Sequence, residues 1–305
     1  MEFRITPEYD GKNVKYILRT VLGLSRACVM RIKYMPDGIL LGGRRVTVRA
    51  EVRAGDVLTL ALEDREEDVN EKVVPSDADP DILYEDGDCM VVNKPNGMPT
   101  HPTHGHLDDT LANVCVGYMR RRGEPFVFRP VNRLDRETSG AVLIAKNKHS
   151  AARLGREMLE KRIQKRYVAL LHGLLPGDSG EISGYIARSG DSIIMRILNA
   201  DGRESEWSLT RWKKLAEDGE YTAAEAEPVT GRTHQIRLHF SSVGAPVAGD
   251  GLYGDGDLSL CGRLALHAHT LSFRTRDGEM VTAEAPLPPE MKAAIEKIGG
   301  NTGNG

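Results

Sequence analysis

The sequence predicts an α+β fold, and three observations carry that reading. Short apolar or alternating runs bounded by Gly, Pro, Asn and Asp outnumber helical periodicities along the 305 residues, and they do not alternate with helices in the regular way of a doubly wound parallel sheet. A hydrophobic content of 40% supplies an ordinary core, with no run long enough to span a bilayer. Charge is laid down unevenly: ten Lys and Arg face only Asp37 and Glu51 over residues 12–53, residues 63–88 are acidic, and residues 120–166 are basic again. The net charge of -3 therefore averages over local positive faces. The acidic break predicts a small N-terminal α/β module ahead of a larger body with flanking helices.

Residues 12–60 justify the module. "KNVKYILRTVLGLSRACVMRIKY" sets Val14, Ile17, Leu18, Val21 and Leu22 at helical spacing, and Ser25 is placed to cap a second helix. "GILLGGRRV" holds Gly-Gly between two short apolar runs, a hairpin signal, and "VRAGDVLTLAL" adds a turn and an alternating strand. Two short helices with arginines on a small sheet resemble the alpha-L type RNA-binding motif, named after a small-subunit ribosomal protein. Residues 1–62 are read as that module, with Arg26, Arg31 and Arg44 as RNA contacts. Residues 63–79, acidic and Pro-containing, read as a linker, residues 80–298 as the main domain, and residues 299–305 as a flexible tail.

In the main domain "ILYEDGDCMVVNKP" predicts a hairpin turning at Asp-Gly. "DTLANVCVGYMRRR" predicts a helix capped by Asp109, with Leu111, Val114, Cys115 and Tyr118 on one face. "AVLIAK" reads as a buried strand, "KHSAARLGREMLEKR" as a basic amphipathic helix, and "KRYVALLHG", "SIIMRI", "SEWSLTRW" and "YTAAEAE" as strands. "HQIRLHFSSVG" predicts a short helix stopped at Gly244, "RLALHAHTLSF" a strand, and "PPEMKAAIEKIGG" a closing helix.

The stretch "VNRLDRETSGAVLIAKN" sets Asp135 between Arg133 and Arg136 just before the buried strand. Taken alone, it could be a solvated turn with a weak ion pair. Taken with "VVNKPNGMPTHP", "KRYVALLHG", "PVTGRTHQIRLHFSSVGAPVAGDGLYG" and "LALHAHTLSF", in that order, it resembles the RluA-type pseudouridine synthases over residues 80–290. The resemblance implies a central mixed or antiparallel sheet and an isomerase that acts on uridine in ribosomal or transfer RNA, without cofactor or metal. It implies that Asp135 is the catalytic aspartate, that Arg237 is its charge partner, and that Tyr167 packs on the uracil face. A carboxylate could attack C1' or C6, or take a proton at C2', and the sequence does not choose among these.

Burial disfavours a charged carboxylate, so a fixed guanidinium able to hold both its oxygens suits the task. By the same resemblance Arg133 assists base flipping. Arg136, Lys94, Arg232, His234, Gln235 and Leu266 complete the expected contacts with RNA or uridine. Many members have His where this chain has Asn132, which reads here as a hydrogen-bonding scaffold for the loop.

Other signals fail. His104-x-His106-x-Asp108 begins like a zinc set, but Asp109 stands where the closing His belongs. "RETSGA" is no nucleophile elbow, "GDGLYGDGD" lacks the P-loop lysine, and the zinc-deaminase signature is missing. Cys28, Cys89, Cys115 and Cys261 show no C-x-x-C spacing and read as free thiols. The N-terminus has no secretory pattern. The chain is expected to be cytoplasmic and monomeric, since no heptad offers a dimer seam.

Overall fold

The structure is a computed structural model that describes residues 1–22, 24, 26–62, 73–189, 195–198 and 205–300. The expected cap Ser25, residues 63–72 of the expected linker, residues 192–194 of "SIIMRI" and most of the tail lie outside the described residues.

The N-terminal module is a four-stranded sheet in the order β1, β4, β2, β3, formed by β1 (Glu2–Arg4), β2 (Ile39–Leu41), β3 (Arg44–Arg45) and β4 (Val57–Leu60). Gly42 and Gly43, at φ of +54° and +75°, make the predicted hairpin turn between β2 and β3. α1 (Val14–Tyr16) runs on into a wider turn at Ile17–Val21, and α2 (Arg26–Tyr34) follows. Val14, Ile17, Leu18, Ile32, Leu58 and Leu60 close a core of their own, separate from the clusters of the larger body. Apolar burial of this kind is what lets so small a unit hold its shape.

The larger body is built on an eleven-stranded sheet. Its strands are β5 (Ile82–Glu85), β6 (Cys89–Lys94), β7 (Arg129–Pro130), β8 (Ser139–Ala145), β9 (Gln164–His172), β10 (Ser179–Arg188), β11 (Arg196–Leu198), β12 (Glu206–Glu217), β13 (Tyr221–Pro228), β14 (Leu266–Arg274) and β15 (Met280–Glu284). The main path runs β11, β10, β12, β13, β9, β14, β8, β6, β5, with β15 on β14 and β7 on β8. Among the described strands only β8 and β14 pair in parallel, through His267 with Ser139 and Ala268 with Gly140, so the sheet is mixed. Gly140 is required there: its φ is +111°, and a Cβ would stand 2.2 Å from the Ala268 carbonyl oxygen. Every residue of β8 is buried, as the unbroken apolar run "AVLIA" demands of a central strand. β10 and β15 are strands that the pattern reading did not pick out.

The helices are α3 (Leu111–Arg121), α4 (Lys148–Leu159), α5 (Gln235–Ser242) and α6 (Pro289–Gly300). α3 corrects one expectation. Its N-cap is Thr110, whose N–H donates to Asn113 Oδ1 at 3.0 Å, while Asp109 turns away to His106 Nδ1 at 2.7 Å. The expected linker is also too long at its C-terminal end. Residues 73–79 pack on α3: Arg121 donates to Ser76 O at 2.9 Å, Asn113 Nδ2 to Val74 O at 2.7 Å, and Gly117 leaves room for the Ser76 backbone. α5 ends as predicted, with Gly244 at φ +78° and the Ala245 N–H on Phe240 O at 3.1 Å. No helix among the described residues is long and apolar enough to cross a membrane.

Candidate active site

Asp135 lies in the segment between β7 and β8, and the carbonyls around it are tethered one by one. The Thr100 hydroxyl donates to Leu134 O at 2.9 Å, Lys94 Nζ to Arg136 O at 3.0 Å, Asn96 Nδ2 to Glu137 O, and the Thr138 N–H to Asp135 O at 3.1 Å. Asn132 spans the gap to β8: its Oδ1 accepts the Leu143 N–H at 2.8 Å and its Nδ2 donates to Ala141 O at 3.2 Å. It is the scaffold the sequence suggested, a side chain standing in for a strand neighbour. Lys94, Thr100, Asn132 and Thr138 are buried and Asn96 is exposed, while the Asp135 side chain keeps 28% exposure. The result is a fixed loop that presents an open carboxylate.

Arg237 comes to Asp135 from α5, with Nη1 3.5 Å from Oδ2. It does not clasp both oxygens of Asp135, as the sequence suggested. Its fork is taken by Asp250, through Nε to Oδ2 and Nη2 to Oδ1, both at 2.7 Å. The Arg237 side chain is 3% exposed and that of Asp250 0%. Burial alone would raise the Asp250 carboxyl, but Arg237 and the backbone N–H groups of Leu252 and Tyr253 hold it below its ordinary range. For Arg237, burial works against the charged form, yet Asp250 and Asp135 more than offset it and raise the guanidinium's pKa. Asp250 thus fixes the guanidinium plane, and Nη1 is what remains to face Asp135.

His234 caps α5 in the left-handed region and sets Nε2 3.8 Å from Asp135 Oδ2. Its Nδ1 meets the Tyr253 hydroxyl at 3.0 Å, and the Tyr253 ring also lies 5.4 Å from the Arg237 guanidinium carbon. Tyr167, on β9, is 7% exposed, and burial, then the charge of Asp135, raises its hydroxyl above its ordinary pKa of 10. It is therefore protonated at neutral pH, on a ring that β9 holds in the main apolar cluster.

The remaining expected residues divide. Arg133 is exposed, as is Arg136, which reaches Glu137 at 3.4 Å and His106 Nε2 at 3.5 Å. Arg232 is half-buried and pairs with Glu206 at 2.5 Å. Arg26, Arg31 and Arg44 are exposed on the N-terminal module. Lys94, by contrast, is 0% exposed and spends its ammonium on Pro95 O, Met98 O and Arg136 O. It cannot touch RNA in this arrangement and acts instead as a strut for the Asp135 loop. Burial pushes its pKa down to about 7, against the pull of Asp135 and with the push of Arg263.

Gln235 is 3% exposed, and its amide is spent on Thr230, Arg232, Leu209 and Thr210, so it too braces the turn rather than meeting RNA. Leu266 is buried in the same apolar cluster as Tyr167.

Asp250, Tyr253, Thr100 and Asn96 were not singled out from the sequence. Asp250 and Tyr253 sit in "GDGLYG", where the missing lysine drew attention and the aspartate did not. His106 is occupied by Asp109 and Arg136, and among the described residues no group of three or more His, Cys, Asp or Glu is arranged to hold a metal ion.

With this geometry in hand, comparison with known proteins is specific. The family model described as RNA pseudouridylate synthase matches residues 88–242, a span that includes Asp135, Tyr167 and Arg237. The chain is 35% identical to the uncharacterized RNA pseudouridine synthase YlyB of Bacillus subtilis over 93% of each chain. It is 32% identical to the ribosomal large subunit pseudouridine synthase C of Escherichia coli, covering 96% of this chain and 95% of that one. Among solved structures, human RNA pseudouridylate synthase domain containing 1 superposes with a TM-score of 0.58 at 31% identity, over 71% of this chain and 87% of that chain.

Proposed function

This chain belongs to the RNA pseudouridylate synthase family, and from that premise we propose that it isomerises uridine in RNA through Asp135. The reaction breaks the bond from C1' to N1 and forms one from C1' to C5. C5 gives up a proton and N1 gains one, so substrate and product have the same composition and no redox partner enters. The observation that carries the assignment is the open carboxylate of Asp135 on a braced loop, 3.5 Å from a buried arginine. In a partly dry cleft a fixed cation of this kind stabilises charge that changes beside it without solvent reorganisation. The carboxylate serves as nucleophile at C1' or C6, or as base at C2'.

Tyr167 supplies the face against which the detached uracil stacks, with Leu266 in the cluster behind it. Base stacking on an aromatic ring is worth about 1–3 kcal/mol. Arg133, exposed two residues from Asp135, helps displace the uridine from its stack, as chemistry on a stacked base requires. Arg136 and Arg232 serve as phosphate contacts. Residues 1–62 form the RNA-binding module, with Arg26, Arg31 and Arg44 as its cationic contacts, and residues 80–298 the catalytic domain. Ribosomal RNA is the first substrate to try, because the Escherichia coli relative is named for the large ribosomal subunit; transfer RNA is the second. Cysteines that form no disulfide fit a reducing, cytoplasmic setting, and the enzyme works as a monomer.

RNA carrying tritium at C5 of uridine tests the assignment. Wild-type protein releases tritium and Asp135→Asn does not. Equal release by both would move the chemistry away from Asp135.

A further inference from the structure

We propose that His234 is a positioning residue for Asp135, locked by Tyr253 in the tautomer that carries its proton on Nε2. The inference rests on the reading of Asp135 as the catalytic carboxylate.

The backbone is the first sign. His234 has φ of +57° and ψ of +17°, and among the described residues only Lys161 shares a positive φ without being glycine. An L residue adopts this region at a cost, and such strain collects at functional sites. Glycine or asparagine would take the same turn more easily, so the imidazole is what the position retains. The left-handed residue starts α5 and swings the ring between Tyr253 and Asp135.

The hydrogen bonds decide the proton's place. The Tyr253 hydroxyl oxygen accepts the backbone N–H of Arg196 at 2.8 Å. Its own proton then serves His234 Nδ1, 3.0 Å away. An imidazole that accepts at Nδ1 carries its proton at Nε2, and Nε2 is the atom 3.8 Å from Asp135 Oδ2. The Tyr253 and His234 rings meet edge to face, with centroids 5.6 Å apart and planes at 75°, which keeps the imidazole from turning over.

Arg237 Nη1 approaches the same carboxylate oxygen, Oδ2, at 3.5 Å. Two N–H donors converge on Oδ2, and Oδ1 is left to the substrate. Each distance is long for a hydrogen bond, as catalytic contacts often are before substrate closes the site. Arg237 cannot orient Asp135 by itself, because the rest of its fork is spent on Asp250. Burial keeps the imidazole neutral at physiological pH, so His234 steers the carboxylate without adding a second full positive charge beside it.

Nitrogen-15 NMR of the imidazoles gives a direct reading. Wild-type protein should show His234 with a bare Nδ1 and a protonated Nε2, and Tyr253→Phe should mix the two tautomers. A proton on Nδ1 in the wild type, or an unchanged tautomer in Tyr253→Phe, would overturn the proposal. This measurement stands whether or not the protein releases tritium, so its failure is separate from a failure of the Asp135 assignment.

Kinetics give the second reading. Misplacement of a reacting group by about 1 Å can cost on the order of a hundredfold. His234→Ala should therefore lower kcat by about ten- to a hundredfold with KM changed by less than about threefold. His234→Gln, whose amide nitrogen can occupy the place of Nε2, should recover most of that loss. A raised KM with kcat intact would make His234 a base-binding residue, and a glutamine variant no better than alanine would remove the N–H donor from the argument. Either result refutes the proposal.

Discussion

Asp250→Asn is the perturbation that probes the site's construction most sharply. The wild-type pair is fully desolvated and bidentate, with both contacts at 2.7 Å, and Asp250 also accepts the N–H groups of Leu252 at 2.9 Å and Tyr253 at 3.1 Å. An asparagine keeps the volume but leaves the buried Arg237 charge without its buried, bidentate counter-ion. Breaking a buried pair from one side costs about 3–5 kcal/mol. For a chain of this size that lowers Tm by roughly 6–15 °C. Arg237 is then freed to swing its fork onto Asp135, 3.5 Å away, and tritium release should collapse.

The double variant Asp250→Leu with Arg237→Met separates the two effects. An apolar pair in place of a buried ion pair is often neutral for stability, so the melting temperature should return while activity does not. Calorimetry and tritium release on the same preparations provide the assay. The sign with pH is fixed: a carboxyl held below its ordinary 3.8 contributes stability above that pH and loses it as pH falls further. Wild type should therefore show an acid loss of stability in that window that Asp250→Asn lacks. If Asp250→Asn melts within about 1 kcal/mol of wild type, or keeps full activity, the buried pair does not hold the site as described.

Three further outcomes are expected. Lys94, pushed down to about 7, binds more protons in the unfolded than in the folded chain between pH 7 and its ordinary 10.5, so stability should rise across that range by up to about 1.4 kcal/mol per pH unit; denaturant titrations at several pH values should show a flatter slope in Lys94→Met. Thr100→Val removes the hydroxyl from Leu134 O and leaves a buried carbonyl unsatisfied, costing about 1–3 kcal/mol, and slower tritium release without weaker RNA binding would confirm that it supports the loop. Removing residues 1–62 should weaken binding to full-length RNA and flatten its salt dependence more than it slows a short substrate; filter binding at several salt concentrations checks this, and unchanged binding would remove the module from RNA recognition.

Much of the loop around Asp135 was legible because its residues are neighbours in sequence. Arg133, Asp135 and Asn132 occupy one stretch whose apolar continuation, β8, announces a central strand, and Asn132 does what its side chain predicted. The helix cap was misread because Thr110 and Asp109 are both good caps; the tie was broken by His106, whose ring drew Asp109 away. The roles of Lys94 and Gln235 were misread for a similar reason. A lysine and a glutamine beside a site resemble ligand contacts until burial shows three carbonyls around the one and a satisfied amide in the other.

The sequence by itself determined the α+β class, the module ahead of the larger body, and the ordered motifs that identify the family, because periodicity, turn residues and fixed short motifs are local properties of the chain. Only the tertiary structure decided how those motifs meet. Arg237 faces Asp135 with one nitrogen because Asp250, thirteen positions further on, takes the other two. His234 presents Nε2 because Tyr253 and the backbone of Arg196 set its tautomer. Desolvation, hydrogen-bond partner choice and the mixed pairing of β8 with β14 depend on residues far apart in sequence, and folding is what brings them within a few ångströms.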